Sequence, residues 1–173
     1  MKCNRLVDAG RRQFLRGGLG ATAGAAASVV MGTSEARAQA ALARVEYPAN
    51  RLANVADLAV NEAMDVAYPD ADSPGVLLKL GQAVEGGVGP DGDIVAFSIL
   101  CPHKGWYLSY NGEDRTFNCP GHHSRFDAEA GGQQVWGHAT NNLPQFVLRV
   151  DDTGDIYAEG VDELIYGRLS NTL

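Results

Sequence analysis

The chain has 173 residues, of which 14 are Lys or Arg and 21 are Asp or Glu, for a formal charge of −7, and it has three cysteines. Such a length fits one ordinary domain with a short additional segment, and the acidic balance argues against nucleic acid or an anionic membrane surface as partner. Three cysteines exclude a scaffold built on several disulfides.

The first segment reads as an address. Arg11-Arg12-Gln13-Phe14-Leu15-Arg16 has the form of a twin-arginine export signal, Gly17 to Ser34 is uncharged and rich in Ala and Gly, and Ala36-Arg37-Ala38 offers a small-residue cleavage site. The expectation is therefore a signal over residues 1–38, a domain over 39–173 and a periplasmic location. The uncharged stretch is 18 residues long, at the lower edge of what spans a bilayer, so a retained signal would give membrane association. Six of the 14 basic and two of the 21 acidic residues lie in 1–38, which leaves eight and 19 in the domain, a formal charge of −11. A basic partner is attracted to such a surface. Cys3 falls in the signal, so only Cys101 and Cys119 remain for the domain.

Beyond the signal no segment has helical periodicity. Apolar residues fall in short runs broken by Gly, Pro, Asp and Asn, which predicts strands at Ala63–Tyr68, Val76–Leu80, Ile94–Ile99, Arg115–Asn118, Gln133–Trp136, Phe146–Val150 and Ile156–Glu159. Asn54–Asn61 is compatible with a strand or a short helix. Gly86 to Gly92 is a loop, and Asp151-Asp152-Thr153-Gly154-Asp155 is a hairpin turn. The expected fold is all-β, an antiparallel β-sandwich or partly open barrel with its ligand-bearing loops at one end.

The chemistry concentrates in two loops. Cys101-Pro102-His103-Lys104-Gly105 is followed, sixteen residues after His103, by Cys119-Pro120-Gly121-His122-His123-Ser124. Each loop supplies one thiolate and one imidazole. Side by side they can hold a [2Fe–2S] cluster of the Rieske type, with both cysteines on one iron and both histidines on the other. Two Cys and two His also satisfy tetrahedral zinc, and a Cys101–Cys119 disulfide is a third possibility. Zinc fingers usually pair like with like, whereas here each pair is mixed, and a disulfide leaves the histidines unexplained. The cluster moves single electrons, so no catalytic residue is expected on this chain.

With these loops the chain resembles the Rieske iron–sulfur proteins, and among them the small subunits of arsenite oxidases. The narrower resemblance lies in Tyr68-Pro69-Asp70, Gly86-Gly87-Val88-Gly89-Pro90, Asp93-Ile94-Val95-Ala96, Trp136-Gly137-His138-Ala139-Thr140 and Tyr157–Gly160. It implies a Rieske [2Fe–2S] cluster held by Cys101, His103, Cys119 and His122, with Ser124 hydrogen-bonded to a cluster sulfur. A loop over Gly137–Pro144 would cover the cluster. The resemblance also implies a heterodimer with a large molybdopterin and iron–sulfur subunit, where the substrate site lies, and a cytochrome c or small copper protein as electron acceptor. The family register gives the ligand role to His122 and not to its neighbour His123, and it makes His138 a hydrogen-bonding residue.

Two departures follow from the same resemblance. Many relatives tie the two loops by a disulfide at the positions of Trp106 and Gly121, so that bridge is absent here. Phe126 stands where high-potential members have a tyrosine, which implies one hydrogen bond fewer and a lower potential. Trp106 and Trp136 are read as packing residues that shield the cluster. The alternative function is the Rieske subunit of a quinol-oxidising cytochrome complex, which normally keeps an anchor, the loop disulfide and the tyrosine.

Overall fold

A computed structural model describes residues 46–172. The export signal, the boundary at Ala38 and Cys3 lie outside the described residues. Ten strands follow in chain order: β1 (Asn50–Asn54), β2 (Ala63–Ala67), β3 (Pro74–Lys79), β4 (Ile94–Ser98), β5 (Ser109–Asn111), β6 (Thr116–Asn118), β7 (Arg125–Asp127), β8 (Gln133–Trp136), β9 (Phe146–Val150) and β10 (Asp155–Val161). They form three sheets, β1-β10-β9, β2-β3-β4 and β5-β6-β7-β8, with every neighbouring pair antiparallel. The all-β antiparallel fold expected from the sequence is the fold observed. Among the described residues no helix is long and apolar enough to cross a membrane.

The middle sheet explains why β3 and β4 are continuous apolar runs. A strand turns successive side chains to opposite faces, and a strand covered on both faces needs apolar residues at every position. Val76, Leu78, Leu80, Val95 and Phe97 face a core shared with Cys101, Phe117, Cys119 and Phe126. Leu77, Ile94 and Ala96 face the other core, with Tyr68, Phe146, Leu148, Ile156 and Ala158. The middle sheet thus carries the ligand-bearing sheet on one side and the terminal sheet on the other. A bridge between Phe97 and Gln145, with Ser98 N–H donating to the Pro144 carbonyl at 2.9 Å, joins β4 to the chain entering β9.

The seven expected strands are all present, two with the expected ends, Gln133–Trp136 and Phe146–Val150, and five with one or both ends moved by a residue or two. Three strands were not anticipated. β1 pairs with β10, a hundred residues away in sequence, and a local reading has no access to that pairing. β5 and β7 are three residues long with one inward aromatic or none fully buried, too short for a visible alternation. The ambiguous Asn54–Asn61 stretch holds a single 3₁₀ turn, Val55–Asp57, capped by Asn54. In the β9–β10 hairpin, Asp151 Oδ1 accepts from the N–H groups of Thr153 and Asp155, which closes the turn as expected.

The β1–β10 pairing is reinforced at Asp155. Its carboxylate accepts from Arg51 Nη2 at 2.7 Å and Asn54 Nδ2 at 2.9 Å, and the hydrogen bond from Arg51 is the main cause that holds its pKa down to about 2. An ordinary aspartate titrates near pH 3.9, at about 4 in the unfolded chain. The stabilisation is therefore fully present above about pH 4 and is lost as pH falls toward the folded value. Denaturation midpoints should fall on acidification through that window, and Arg51→Ala should flatten this part of the profile while leaving the neutral-pH fold intact.

Candidate metal centre

Both ligand loops are built on one plan. In loop 1, between β4 and β5, Cys101 N–H donates to the Trp106 carbonyl and Gly105 N–H to the Cys101 carbonyl, each at 2.8 Å. In loop 2, between β6 and β7, Cys119 N–H donates to the Ser124 carbonyl at 2.9 Å and His123 N–H to the Cys119 carbonyl at 3.1 Å. The same two closures thus follow each cysteine, to the fifth and from the fourth residue after it. That fourth residue is left-handed in both loops, with φ of +67° at Gly105 and +59° at His123. Glycine adopts this conformation freely and histidine does so at a cost. Nothing in the sequence marks the equivalence, because the two positions hold different residues.

This plan brings all four expected donors to one end of the fold. Cys101 and Cys119 are 1% and 3% exposed, both are free thiols, and Cys119 lies close enough to hydrogen-bond the Cys101 thiol. The His103 and His122 rings meet edge to face with centroids 4.8 Å apart. His103 Nδ1 is buried without a hydrogen-bond partner, so this nitrogen is directed inward and free to ligate. Burial pushes the Cys101 thiol up, with N–H groups of His103 and Lys104 acting in the opposite direction. Burial, followed by His122, Lys104 and His138, pushes the His103 imidazole down, which favours the neutral ring a metal requires.

The donors form two pairs, not one knot. Among the described residues no three His, Cys, Asp or Glu side chains close on a single point. A tetrahedral zinc needs all four donors round one ion. A two-iron cluster takes only two from the protein on each iron, since bridging sulfides complete the coordination. Buried thiols paired with rim imidazoles, one carrying an orphaned inward nitrogen, fit the two-iron group.

The third loop, 137–144, covers this end. Ser124 is fully buried, and its Oγ accepts from the N–H groups of His138 at 3.1 Å and Ala139 at 2.9 Å. With its acceptor sites occupied, the hydroxyl keeps only its hydrogen to give. Gly137 has φ of +94°, and a Cβ there would lie 2.5 Å from Ser124 Cα, so covering loop and loop 2 touch backbone to backbone. The His138 ring stacks near His103 with centroids 6.0 Å apart, in keeping with its place in the covering loop. Pro144 is buried and serves to join the sheets. The two tryptophans do not shield as expected: Trp106 is 52% and Trp136 68% exposed. Trp136 lines an open hollow of about 430 Å³ with His122, His123, Gly137 and His138.

A family model for the Rieske [2Fe–2S] domain matches residues 51–147. The chain belongs to the Rieske family. Its cofactor is accordingly a Rieske [2Fe–2S] cluster. Among curated proteins, this Rieske chain is 42% identical to the iodate reductase subunit IdrB of Denitromonas iodatirespirans, over 93% of this chain and 85% of that one. It is 40% identical to the IdrB subunit of Pseudomonas sp. strain SCT, over 91% and 81% of the two chains. Among solved structures, the soluble domain of Rieske protein II (soxF) from Sulfolobus acidocaldarius matches with a TM-score of 0.62 at 26% identity, covering 73% of this chain and 85% of that one.

Two outcomes test the site. His123→Gly should keep the cluster and stabilise loop 2 by about 0.5–1 kcal/mol through relief of the left-handed backbone, whereas His122→Ala should abolish the low-g EPR signal of the reduced protein; the opposite pattern would assign the ligand to His123. Ser124→Ala should lower the midpoint potential and Phe126→Tyr raise it, because a hydrogen bond to sulfur favours the electron-rich reduced state. A difference of roughly 1 kcal/mol between redox states is about 40 mV for one electron, which protein-film voltammetry resolves. Ser124→Ala also frees two loop N–H groups, so Phe126→Tyr, at a fully buried position, is the cleaner variant.

Proposed function

We propose that this Rieske protein is the electron-transfer subunit of a periplasmic oxidoreductase whose substrate site lies on a large molybdopterin and iron–sulfur subunit. Cys101 and Cys119 ligate one iron, and His103 and His122 the other. The observation that carries the reading is the likeness, over nearly its whole length, to subunits of a reductase. The twin-arginine pattern ahead of the domain supports export in the folded, loaded state.

When bound, a cluster of this ligation takes up and gives up one electron at a time, at a potential that its histidines raise. The chain's residues set where that happens. Cys101 and Cys119 are enclosed by Phe97, Phe117 and Phe126, so water is kept from the sulfur side. His122 is exposed at the rim, which gives electrons a short path to a docked protein. Ser124, whose oxygen already accepts two N–H groups, keeps its hydroxyl hydrogen to donate. The tip itself is nearly uncharged: residues 101–108, 119–124 and 134–144 contain Lys104 and no carboxylate. Docking there strips water from few charges.

Iodate reduction is the reaction the curated relatives favour, with a cytochrome c or small copper protein delivering electrons through this chain to the large subunit. Arsenite oxidation, with electrons flowing the other way, is the second reading, and it rests on the segments from Tyr68, Gly86 and Trp136 described above. Co-expression with a neighbouring large-subunit gene should give a tight complex. That complex should oxidise reduced cytochrome c on addition of iodate, and this chain alone should not. Arsenite-dependent cytochrome reduction without iodate activity would select the second reading. A stable monomer with no molybdoenzyme attached, active with a quinol, would select the quinol-oxidising complex instead.

A further inference from the structure

The three loops at the tip are not tied together equally. Loop 2 and the covering loop are locked by the two hydrogen bonds to Ser124 Oγ and by the contact of Gly137 with the Ser124 backbone. Loop 1 lacks such a lock. Apart from the thiols themselves, among the described residues no hydrogen bond joins 101–108 to 119–124. The nearest pairing is below the loops, where Ser109 faces Asn118 at the end of β5 and β6.

What reaches across is Trp106. A Cβ built on Gly121 would lie 3.0 Å from both Cδ1 and Nε1 of the indole and 3.1 Å from Cδ2. Nearly equal distances to three atoms of the five-membered ring place the face of the ring, and not its edge, against the Gly121 Cα. Gly121 is not among the glycines with positive φ, so the backbone does not call for glycine there. The ring does. Both ends of the contact lead directly to the donors. The Trp106 carbonyl holds the Cys101 N–H at 2.8 Å, and Gly121 lies between Cys119 and His122.

We infer that Trp106 is a positioning residue: its indole face, seated on Gly121, sets the spacing of loop 1 from loop 2 and so the spacing of the Cys101/His103 pair from the Cys119/His122 pair. The inference rests on the ligand set proposed above. The contact is between exposed tips, since half of Trp106 remains open to solvent, and it holds the loops by fit and not by filling a core. Glycine at 121 is then the counterpart of tryptophan at 106, and the two substitute for each other's absence in a predictable way.

The test uses the full chain with its cluster assembled, and reads the EPR line shape of the reduced protein and the half-life of its visible absorption under a chelator. Trp106→Ala should broaden the EPR lines and shorten the half-life about fivefold, the scale of one aromatic contact. Trp106→Phe should restore most of both. Gly121→Ala should cause a similar defect in the native background, because its methyl meets the ring, and no further defect when combined with Trp106→Ala, because the methyl then has the space the ring has left. Far-UV circular dichroism should be unchanged throughout. An unaltered line shape and half-life in Trp106→Ala, or a Gly121→Ala defect that adds in full to that of Trp106→Ala, overturns the inference. Cys119→Ser separates the two levels: if it keeps the cluster, the ligand set falls and the inference with it; if it loses the cluster while Trp106→Ala is unaltered, the inference alone falls.

Discussion

Two thiols that face each other in a buried place constrain the rest of this molecule. A thiolate in apolar surroundings is costly, and here the ordinary compensation by a lysine or arginine is absent from the loop interior, where Lys104 is exposed and its side chain lies outside. In the proposed ligand set the cluster's iron supplies the compensating charge, so the site is complete only when loaded. Everything nearby serves to keep two short loops in register until then. Each loop places a buried cysteine at its shoulder and a more open histidine within three residues, His103 half-buried and His122 exposed. That step from Cys to His, taken twice, produces the sulfur-inside, imidazole-outside gradient.

The register is transmitted from the middle sheet. Phe97 on β4 meets Phe117 on β6 edge-on, with centroids 5.4 Å apart, and Phe117 pairs across the strand with Phe126. These rings form the floor on which Cys101 and Cys119 sit. The floor is rigid because β4 is buried on both faces, so no side chain there can move into solvent to relieve strain. Above this floor the ties between the loop tips are few: one serine hydroxyl, one glycine contact on each side, and the rings of three histidines.

Much of this was legible in the chain. The paired C-x-H and C-x-x-H loops mark candidate donors because mixed pairs suit few other groups, and the structure brings these side chains to one end of the fold; the runs 76–78 and 94–97 mark strands because β-branched and aromatic residues in short blocks have few alternatives. The third loop was legible through its resemblance to a family, and not through its composition. What the sequence hid was relational. β1 is a strand only because β10 returns to it, and the shared closure of the ligand loops is masked by glycine in one and histidine in the other. The resemblance already pairs Trp106 and Gly121 as the two positions of an absent bridge, and what the sequence hid was that the indole face itself spans them. Exposure of Trp106 and Trp136 was misjudged for the same reason: large aromatic residues beside a metal centre suggest cover, and whether they cover it depends on which neighbour their faces meet.

The placement of charge completes the physical picture. The domain is strongly acidic, yet a carboxylate near the cluster would oppose uptake of an electron. At about 10 Å a unit charge contributes roughly 0.4–1.7 kcal/mol across the range of effective dielectric from water to protein surface, or about 20–70 mV for one electron. The sequence keeps carboxylates out of all three tip loops. In and beside the sheet that carries the loops, Asp114 is paired with Arg125 and Glu129 with Arg115, so these two carboxylates are neutralised where they stand. The remaining acidity, most of it at 46–72 and 151–163, suits long-range attraction of a basic partner, which salt would screen. The proposed function thus divides the surface: attraction falls to the acidic body, and contact to an aromatic tip that carries Lys104 and no carboxylate to oppose uptake of the electron.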